Sequence, residues 1–183
     1  RNMETMLITG ANRGIGLEFA RQYAGDGWRV FACTRHPQKS DALNTLAAEY
    51  PRQITVHAVD VGDHAQIEEL ARSLTNESID LLLSNAGIYT SCHKDDNINQ
   101  EEWIQAFLIN TIAPLKMAQA LAPQIARGSQ KTIVTISSKM GSIADNSGGS
   151  SYIYRSSKAA ANMVVKSLAI DLKPAGITAV VLH

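Results

Sequence analysis

The sequence contains few cysteines and few aromatic residues, and it has no long apolar run. Of its 183 residues only Cys33 and Cys92 are cysteines, and 5% are aromatic. Two cysteines exclude a disulfide framework and a cysteine-based zinc motif, and the five histidines form no cluster with ligand spacing, so we expect no metal. No apolar stretch approaches the roughly 20 residues that a membrane-spanning helix needs. These absences favour a reduced, cytoplasmic protein outside the membrane.

Charge is balanced, with 17 basic and 17 acidic residues and a formal net charge of zero. No basic run stands out, which argues against nucleic acid or an anionic membrane as a partner. A length of 183 residues with 45% hydrophobic residues suits one domain with a sizeable core. We therefore expect a single domain over 1–183 that takes a small-molecule ligand.

Short β-branched runs alternate with helical patterns along the whole chain. The runs predict buried strands over 6–9, 29–34, 54–59, 79–84, 132–137 and 177–182. The patterns between them predict helices over 14–26, 38–50, 63–76, 99–127 and 151–173. Nearly continuous hydrophobicity is typical of parallel strands covered on both faces. This alternation predicts an α/β fold with a doubly wound parallel sheet.

A glycine-rich stretch, TGANRGIG at 9–16, follows the first strand and opens the first helix. Glycines there allow a tight turn and a close approach to a pyrophosphate, which the amide groups of the helix N-terminus would bind. The alternative is a purely structural turn. The stretch predicts a dinucleotide site whose residues are Gly10, Asn12, Arg13, Gly14, Ile15 and Gly16.

The end of the second strand bears on which dinucleotide binds. A site for NAD commonly has a carboxylate there for the ribose 2′-hydroxyl, whereas this chain has Thr34 and Arg35. Arg35 and Arg13 could converge on a 2′-phosphate, which favours NADP(H) over NAD(H). A solvated surface side chain is the alternative for Arg35.

Two further motifs close the third and fourth strands. In DVGD at 60–63, Asp60 is a candidate acceptor for an adenine amino group, with Val61 beside it, and Asp63 is a candidate helix N-cap. In SNAG at 84–87, the residues Asn85, Ala86 and Gly87 follow the fourth strand. In a sheet with strand order 3-2-1-4-5-6 they would lie beside the cofactor.

Tyr154 and Lys158, in YIYRSSK at 152–158, are four residues apart and would share one face of a helix. A neighbouring ammonium favours the ionised phenol, so the pair could be a proton donor and its tuning charge, although such spacing also occurs by chance. Asn110 is unusual inside a predicted helix, and Pro114 has no N–H to bond its carbonyl. A kink there would free that carbonyl for a proton relay, or would be purely structural.

Ser137 and Ser138 end the fifth strand, where a hydroxyl could bind a substrate carbonyl. Together, TGANRGIG, DVGD, SNAG, Asn110, ISS and YRSSK resemble, in order and spacing, the short-chain dehydrogenase/reductase family. The stretch around YIYRSSK is most similar to its carbonyl-reductase branch, which includes Sniffer-type and C-factor proteins. The resemblance covers essentially the whole chain.

The resemblance implies a Rossmann-like fold and an NADP(H)-dependent reduction of an aldehyde or ketone. It implies that Tyr154 is the general acid, that Lys158 binds the nicotinamide ribose and lowers the tyrosine pKa, and that both contact the cofactor. By the same resemblance Ser138 polarises the carbonyl, with Ser137 left open as an alternative, and Asn110 holds a relay water.

The resemblance also implies a homodimer or homotetramer through the helices 99–127 and 151–173. Family members continue beyond the position of His183 with a substrate-covering segment and a last strand, so we expect that part to be absent here. Two alternatives stay open. One is a C-factor-like signalling or regulatory protein that uses the dinucleotide fold for recognition, and the other is an NAD-dependent alcohol dehydrogenase.

Overall fold

The computed structural model describes residues 3–90 and 98–183, so the predictions that involve Cys92 and His93 lie outside the described residues. Strands and helices alternate along the chain as predicted. The strands are β1 (Thr5–Ile8), β2 (Arg29–Thr34), β3 (Ile54–Ala58), β4 (Leu81–Ser84), β5 (Thr132–Ile136) and β6 (Thr178–Leu182). The helices are α1 (Gly14–Gly25), α2 (Asp41–Glu49), α3 (His64–Ser73), α4 (Gln100–Phe107), α5 (Ala113–Ala126) and α6 (Tyr152–Asp171).

The strands of the described residues form one parallel sheet in the order β3-β2-β1-β4-β5-β6. This confirms the Rossmann-like, doubly wound fold. Leu7 in the middle of β1 pairs with Phe31 of β2 on one side and with Leu82 of β4 on the other. Because β1 and β4 are neighbours whose following helices start on opposite faces, a crevice opens at their carboxyl ends.

Two apolar cores cover the two faces of the sheet. Leu7 belongs to the core that contains α3, α5 and α6, whereas its neighbours Met6 and Ile8 belong to the core that contains α1 and α2. Successive side chains of a strand point to opposite faces, so a central strand that is covered on both sides must be apolar at every position. This is why β1, which is buried throughout, is apolar at three of its four positions, Met6, Leu7 and Ile8.

The prediction that all six strands are covered on both faces is wrong for β6. Val180 and Leu182 are exposed, whereas Ala179, which precedes them, is buried. This strand lies at an edge of the sheet and packs against α6 on one face only. Its apolar composition therefore did not by itself indicate burial on both faces.

The region 99–127, predicted as one helix, consists of α4, a π-helical segment (Leu108–Ile112) and α5. Asn99 caps α4, its Oδ1 accepting from the N–H groups of Glu101 at 2.9 Å and Glu102 at 3.2 Å. The expected irregularity is present near Asn110, but as a wide π turn that includes the residue. Among the described residues, no helix is long and apolar enough to cross a membrane.

Shorter turns account for the other differences in helix bounds. The predicted helix 38–50 begins as a 3₁₀ turn (Pro37–Lys39) before α2, and α3 ends at Ser73. Asp63 caps α3 as predicted, because its Oδ1 accepts from the N–H of Ala65 at 3.0 Å. A second 3₁₀ turn, Lys139–Gly141, connects β5 to the approach of α6.

At the amino ends of the strands, Asp80 ties β1 to the turn that precedes β5. Asp80 is 6% exposed, and its carboxylate accepts from the N–H of Thr5 at 2.8 Å. It also accepts from the N–H and the hydroxyl of Ser129, both at 2.7 Å. Burial alone would raise the pKa of Asp80, but these hydrogen bonds outweigh it and hold the pKa below its ordinary value.

Candidate functional site

A cavity of about 460 Å³ lies at the carboxyl ends of the strands. Most residues predicted from the four loop motifs line it: Gly10, Asn12, Arg13, Gly14, Ile15, Arg35, Asp60, Val61, Asn85, Ala86 and Gly87. Gly16, Asn110, Ser138, Tyr154 and Lys158 were also predicted and do not line this cavity. Sequence reasoning missed several lining residues, most of them at or just beyond the same strand ends: Thr9, Cys33, Thr34, His36, Lys39, Ser40, Val59, Ile88 and Ile109.

The glycine-rich loop brings β1, α1 and β4 into close contact. Gly10 has φ +64°, and a Cβ on it would lie 2.9 Å from the Cα of Ala86. A Cβ on Gly16 would lie 2.1 Å from the carbonyl oxygen of Gly10. Gly16 therefore packs against the backbone of the loop and does not line the cavity. Neither Gly10 nor Gly16 has room for a larger residue.

Side-chain hydrogen bonds hold the end of β4 against the loop. The hydroxyl oxygen of Thr9 accepts from the N–H groups of Asn85 and Ala86, both at 3.0 Å. Asn85 in turn donates from Nδ2 to the carbonyl of Gly10 at 3.0 Å. A threonine in TG at the end of a strand was a signal that the sequence analysis did not use.

The rim of the cavity is rich in positive charge. The Arg13, Arg35 and Lys39 side chains are exposed and line it. Asp60 is the one carboxylate among its described lining residues, and its Oδ1 accepts from the N–H of Gly62 at 2.9 Å. The start of α1 has no side-chain cap and no acidic residue in its first turn. Free helical amides beside exposed guanidinium groups suit a phosphorylated ligand such as a dinucleotide.

On α6, the predicted pair lies close together. Nζ of Lys158 is 5.8 Å from the centre of the Tyr154 ring. Lys158 is only 7% exposed and donates to the carbonyl of Ile136 at 3.0 Å. Burial lowers the pKa of its ammonium below the ordinary value, because desolvation disfavours the charged form.

The end of β4 connects this pair to the cavity. A Cβ on Gly87, which lines the cavity, would lie 3.7 Å from Nζ of Lys158 and 3.2 Å from Oδ1 of Asn110. The lysine amine therefore lies directly behind the cavity wall. An ammonium has three donors, and in the described part of the chain Ile136 accepts one of them.

Asn110 lies in the π segment with its side chain fully engaged. Its Oδ1 accepts from the N–H of Ile88 at 2.9 Å, and its Nδ2 donates to the carbonyl of Ile88 at 2.9 Å. Nδ2 also donates to the hydroxyl of Ser157 at 3.1 Å, and Thr111 donates to the carbonyl of Ser157 at 2.7 Å. Asn110 thus joins the π segment, the strand end after β4 and α6.

The two serines after β5 have different partners. Ser137 is buried, and its hydroxyl donates to Oδ1 of Asn162 at 2.6 Å. Ser138 is half-buried, and its hydroxyl oxygen accepts from the N–H of Met140 at 3.1 Å, which leaves its own proton to donate. Only the Ser138 hydroxyl therefore keeps a donor for a ligand in this arrangement.

Tyr89 was missed by the sequence analysis. Its ring centre is 4.8 Å from that of Tyr154, with the planes tilted by 59°. The two residues are far apart in the sequence, and an aromatic residue after SNAG carried no local signal for this contact.

The parallel α/β sheet, its glycine-rich loop and the Tyr154–Lys158 pair define a class of dinucleotide-fold proteins. The chain belongs to the short chain dehydrogenase family, whose model matches residues 4–183. This confirms the family that the motifs indicated.

Curated relatives include FixR of Bradyrhizobium diazoefficiens, which is 31% identical over 95% of this chain and 63% of its own length. The C-signal of Myxococcus xanthus is 34% identical over 62% of this chain and 68% of its own. The chain thus spans less than two thirds of FixR.

Solved structures of two carbonyl reductases are similar to this chain in fold. The carbonyl reductase Sniffer of D. melanogaster superposes with a TM-score of 0.90 at 28% identity, covering 100% of this chain and 80% of its own. An NADPH-bound carbonyl reductase from chicken fatty liver has a TM-score of 0.91 at 33% identity, covering 99% and 75%. The present chain is shorter than both, and the likeness to the carbonyl-reductase branch is confirmed.

Proposed function

We propose that this chain carries the NADP(H)-binding and catalytic part of a carbonyl reductase that converts an aldehyde or ketone to an alcohol. The observation that carries the proposal is the buried Lys158, one helical turn from Tyr154 and directly behind the cavity wall at Gly87. A purely structural role for Lys158 would not explain why its amine is buried beside the Tyr154 phenol and next to the cavity. Perturbed ionisable groups of this kind cluster at functional sites.

NADP(H) is favoured over NAD(H) by the charges on the cavity rim. Arg13 and Arg35 are exposed there, and no carboxylate ends β2. Guanidinium groups bind a 2′-phosphate, whereas a carboxylate at this position would repel it. The uncapped amides of α1 would bind the pyrophosphate, and Asp60 would accept from the adenine amino group. The NADPH bound to the chicken carbonyl reductase supports the same assignment.

When bound, the nicotinamide supplies the hydride that reaches the carbonyl carbon. Tyr154 donates its phenolic proton to the carbonyl oxygen, and the nearby Lys158 ammonium stabilises the phenolate that forms. The remaining donors of Lys158 bind the ribose next to the nicotinamide. Ser138 donates its free hydroxyl proton to the carbonyl oxygen and so orients and polarises it. Asn110 holds a relay water at its main-chain carbonyl, since its side chain is engaged by Ile88.

The Tyr154→Phe variant tests the mechanism most directly, with Tyr152→Phe as the matched control on the same helix. We expect Tyr154→Phe to lower kcat for carbonyl reduction by at least about 100-fold, because only the acid is lost. Its affinity for NADPH, followed by fluorescence titration, should stay within about twofold of the parent. Reduction by Tyr154→Phe at the parent rate would overturn the mechanism.

Arg35→Asp tests the cofactor assignment. The variant should lose affinity for NADPH and gain relative affinity for NADH, because the new carboxylate repels a 2′-phosphate and accepts from a 2′-hydroxyl. Removing one charged hydrogen bond should weaken NADPH binding by about tenfold or more. A parent that prefers NADH would instead favour the NAD-dependent alcohol dehydrogenase.

A second candidate function is recognition or signalling on the same fold, and the similarity to the C-signal of Myxococcus xanthus favours it. A protein of this kind needs the dinucleotide site but not the acid. A parent that bound NADPH and reduced none of a broad panel of aldehydes and ketones would favour this function.

The family resemblance also leads us to propose a homodimer or homotetramer. The helical regions named in this proposal expose several large apolar side chains among the described residues, including Ile104, Ile112, Met163 and Ile170. Sedimentation velocity of the parent and of Met163→Glu tests the proposal. The variant should shift towards the monomer, and a parent that sediments as a monomer at micromolar concentration would contradict it.

A further inference from the structure

Tyr89 is held beside the proposed reaction site by its main chain. It follows Ile88, and Ile88 is bound through both its N–H and its carbonyl by the side chain of Asn110, at 2.9 Å in each case. Gly87, one residue further back, lies against Lys158. The backbone leading to Tyr89 is therefore fixed by two of the residues assigned to catalysis.

The Tyr89 side chain is exposed although it contacts the proposed acid. It is 64% exposed, while its ring centre lies 4.8 Å from that of Tyr154 at a tilt of 59°. Tyrosine combines a large apolar ring with a polar hydroxyl, which suits it to surfaces that contact ligands. The exposed Tyr89 ring therefore offers an aromatic surface to any molecule that binds at the Tyr154 hydroxyl.

We propose that Tyr89 is a specificity residue that forms an aromatic wall of the substrate subsite and favours carbonyls attached to a planar aromatic ring. The proposal rests on the proposed reductase function, because it places the substrate carbonyl at Tyr154. A carbonyl oxygen bound there brings its substituent within reach of the neighbouring Tyr89 ring. Aromatic rings attract one another in tilted and offset geometries, so a planar substituent gains contacts that a saturated one of equal size lacks.

A rival role for Tyr89 is to support the Tyr154 ring without touching substrate. Such a support would affect every substrate alike, whereas a wall would discriminate between them. Benzaldehyde and cyclohexanecarbaldehyde make a matched pair, since they share a six-membered ring and differ in planarity and aromaticity. Their ratio of kcat/KM therefore separates the two roles.

The test compares Tyr89→Leu and Tyr89→Phe with the parent, using NADPH and the two aldehydes. Tyr152→Leu is the control, because Tyr152 is 57% exposed and its position on α6 is two residues before Tyr154. We expect Tyr89→Leu to lower the benzaldehyde to cyclohexanecarbaldehyde ratio by about tenfold. Tyr89→Phe and Tyr152→Leu should leave the ratio within about twofold. An unchanged ratio in Tyr89→Leu would overturn the proposal, even if both rates fall.

A binding measurement separates this proposal from the reductase function itself. Benzyl alcohol and NADPH form a complex that cannot react, so saturation-transfer NMR reports binding without turnover. The signal from benzyl alcohol should exceed that from cyclohexylmethanol in the parent and lose this excess in Tyr89→Leu. That result without any aldehyde reduction would leave the aromatic wall standing and contradict the reductase. Aldehyde reduction without any preference for the aromatic alcohol would contradict the wall and leave the reductase standing.

Discussion

Ser137 and Ser138 are adjacent in the chain and have identical side chains, but their surroundings give the two hydroxyls different partners. The Ser137 proton is used by Asn162, whereas Ser138 has its proton available. This difference comes from the turn after β5, which directs one hydroxyl towards α6 and leaves the other half-exposed.

We predict that Ser138→Ala lowers kcat by about 100-fold, because a donor to the developing oxyanion is lost. Ser137→Ala should keep kcat within about threefold of the parent and lower the free energy of unfolding by about 1 kcal/mol, the usual net contribution of one hydrogen bond. Steady-state kinetics and thermal unfolding of both variants check this. A larger loss of kcat in Ser137→Ala would reverse the assignment.

Lys158 connects the chemistry of the site to the pH dependence of stability. Its pKa in the folded chain is lowered by burial, so between that pKa and the ordinary value of 10.5 the unfolded chain binds more protons than the folded one. The free energy of unfolding then rises with pH through this window, and below the lowered pKa the penalty of the buried charge is fully present.

We therefore predict that the Tm of Lys158→Met relative to that of the parent falls as the pH rises from neutral towards 10.5. Methionine is neutral and similar in length to lysine, so the variant has no buried charge at any pH. Only the parent therefore gains stability as the pH rises through this window. Calorimetry of both proteins in matched buffers measures the difference in Tm. A difference that stays constant with pH would mean that burial does not perturb Lys158.

At the scale of elements, the 3₁₀ turn Lys139–Gly141 packs directly on α6. A Cβ on Gly141 would lie 2.9 Å from the Cβ of Lys158 and 3.0 Å from its carbonyl carbon. Both groups belong to the helix backbone or its first side-chain atom, so neither can move without shifting α6. The turn therefore constrains the position of α6 and of the proposed catalytic pair, Tyr154 and Lys158.

We predict that Gly141→Ala lowers the free energy of unfolding by about 1–3 kcal/mol, the typical cost of overpacking. It should also lower kcat, because Tyr154 and Lys158 move with the helix. Gly148→Ala is the matched control, since a Cβ there meets nothing within 4 Å and its φ lies outside the left-handed region. Equal stability and kcat in the two variants would contradict this packing argument.

At the scale of the whole molecule, the carboxyl ends of the strands form the proposed site, whereas the amino ends contribute to stability. The proposed site is at the carboxyl ends of the strands, while Asp80 secures the amino ends through Thr5 and Ser129. Because the pKa of Asp80 is lowered in the folded chain, its contribution is fully present above the ordinary carboxyl pKa of 3.8. That contribution is lost as the pH falls through the folded value.

We predict that Asp80→Asn lowers the free energy of unfolding at pH 7 by about 2 kcal/mol, since hydrogen bonds to a charged acceptor are lost. The affinity for NADPH should stay within about twofold, because the change is at the far end of the sheet. Urea unfolding at several pH values should show the two proteins converging below pH 3.8. A loss of NADPH affinity comparable to the loss of stability would mean that the two ends are coupled.

The class of fold and most of the candidate cofactor cavity could be predicted from the sequence because their signals are local. Buried parallel strands are apolar at successive positions, the glycines of 9–16 meet a local steric demand, and residues at the ends of neighbouring parallel strands must meet at one edge. The Tyr154–Lys158 spacing is likewise local, since one helical turn brings the two side chains together.

The remaining features depend on segments that are distant in the chain. The burial of Lys158 depends on β5, the contact between Tyr89 and Tyr154 joins β4 to α6, and the partners of Asn110 come from Ile88 and Ser157. A spacing pattern does not record which segments pack together, nor whether an edge strand such as β6 is covered on one face or two. The sequence by itself therefore determined the family, the sheet order and the side chains that we propose to react. Only the tertiary structure decided which hydroxyl is free, which amine is desolvated and which ring faces the proposed substrate.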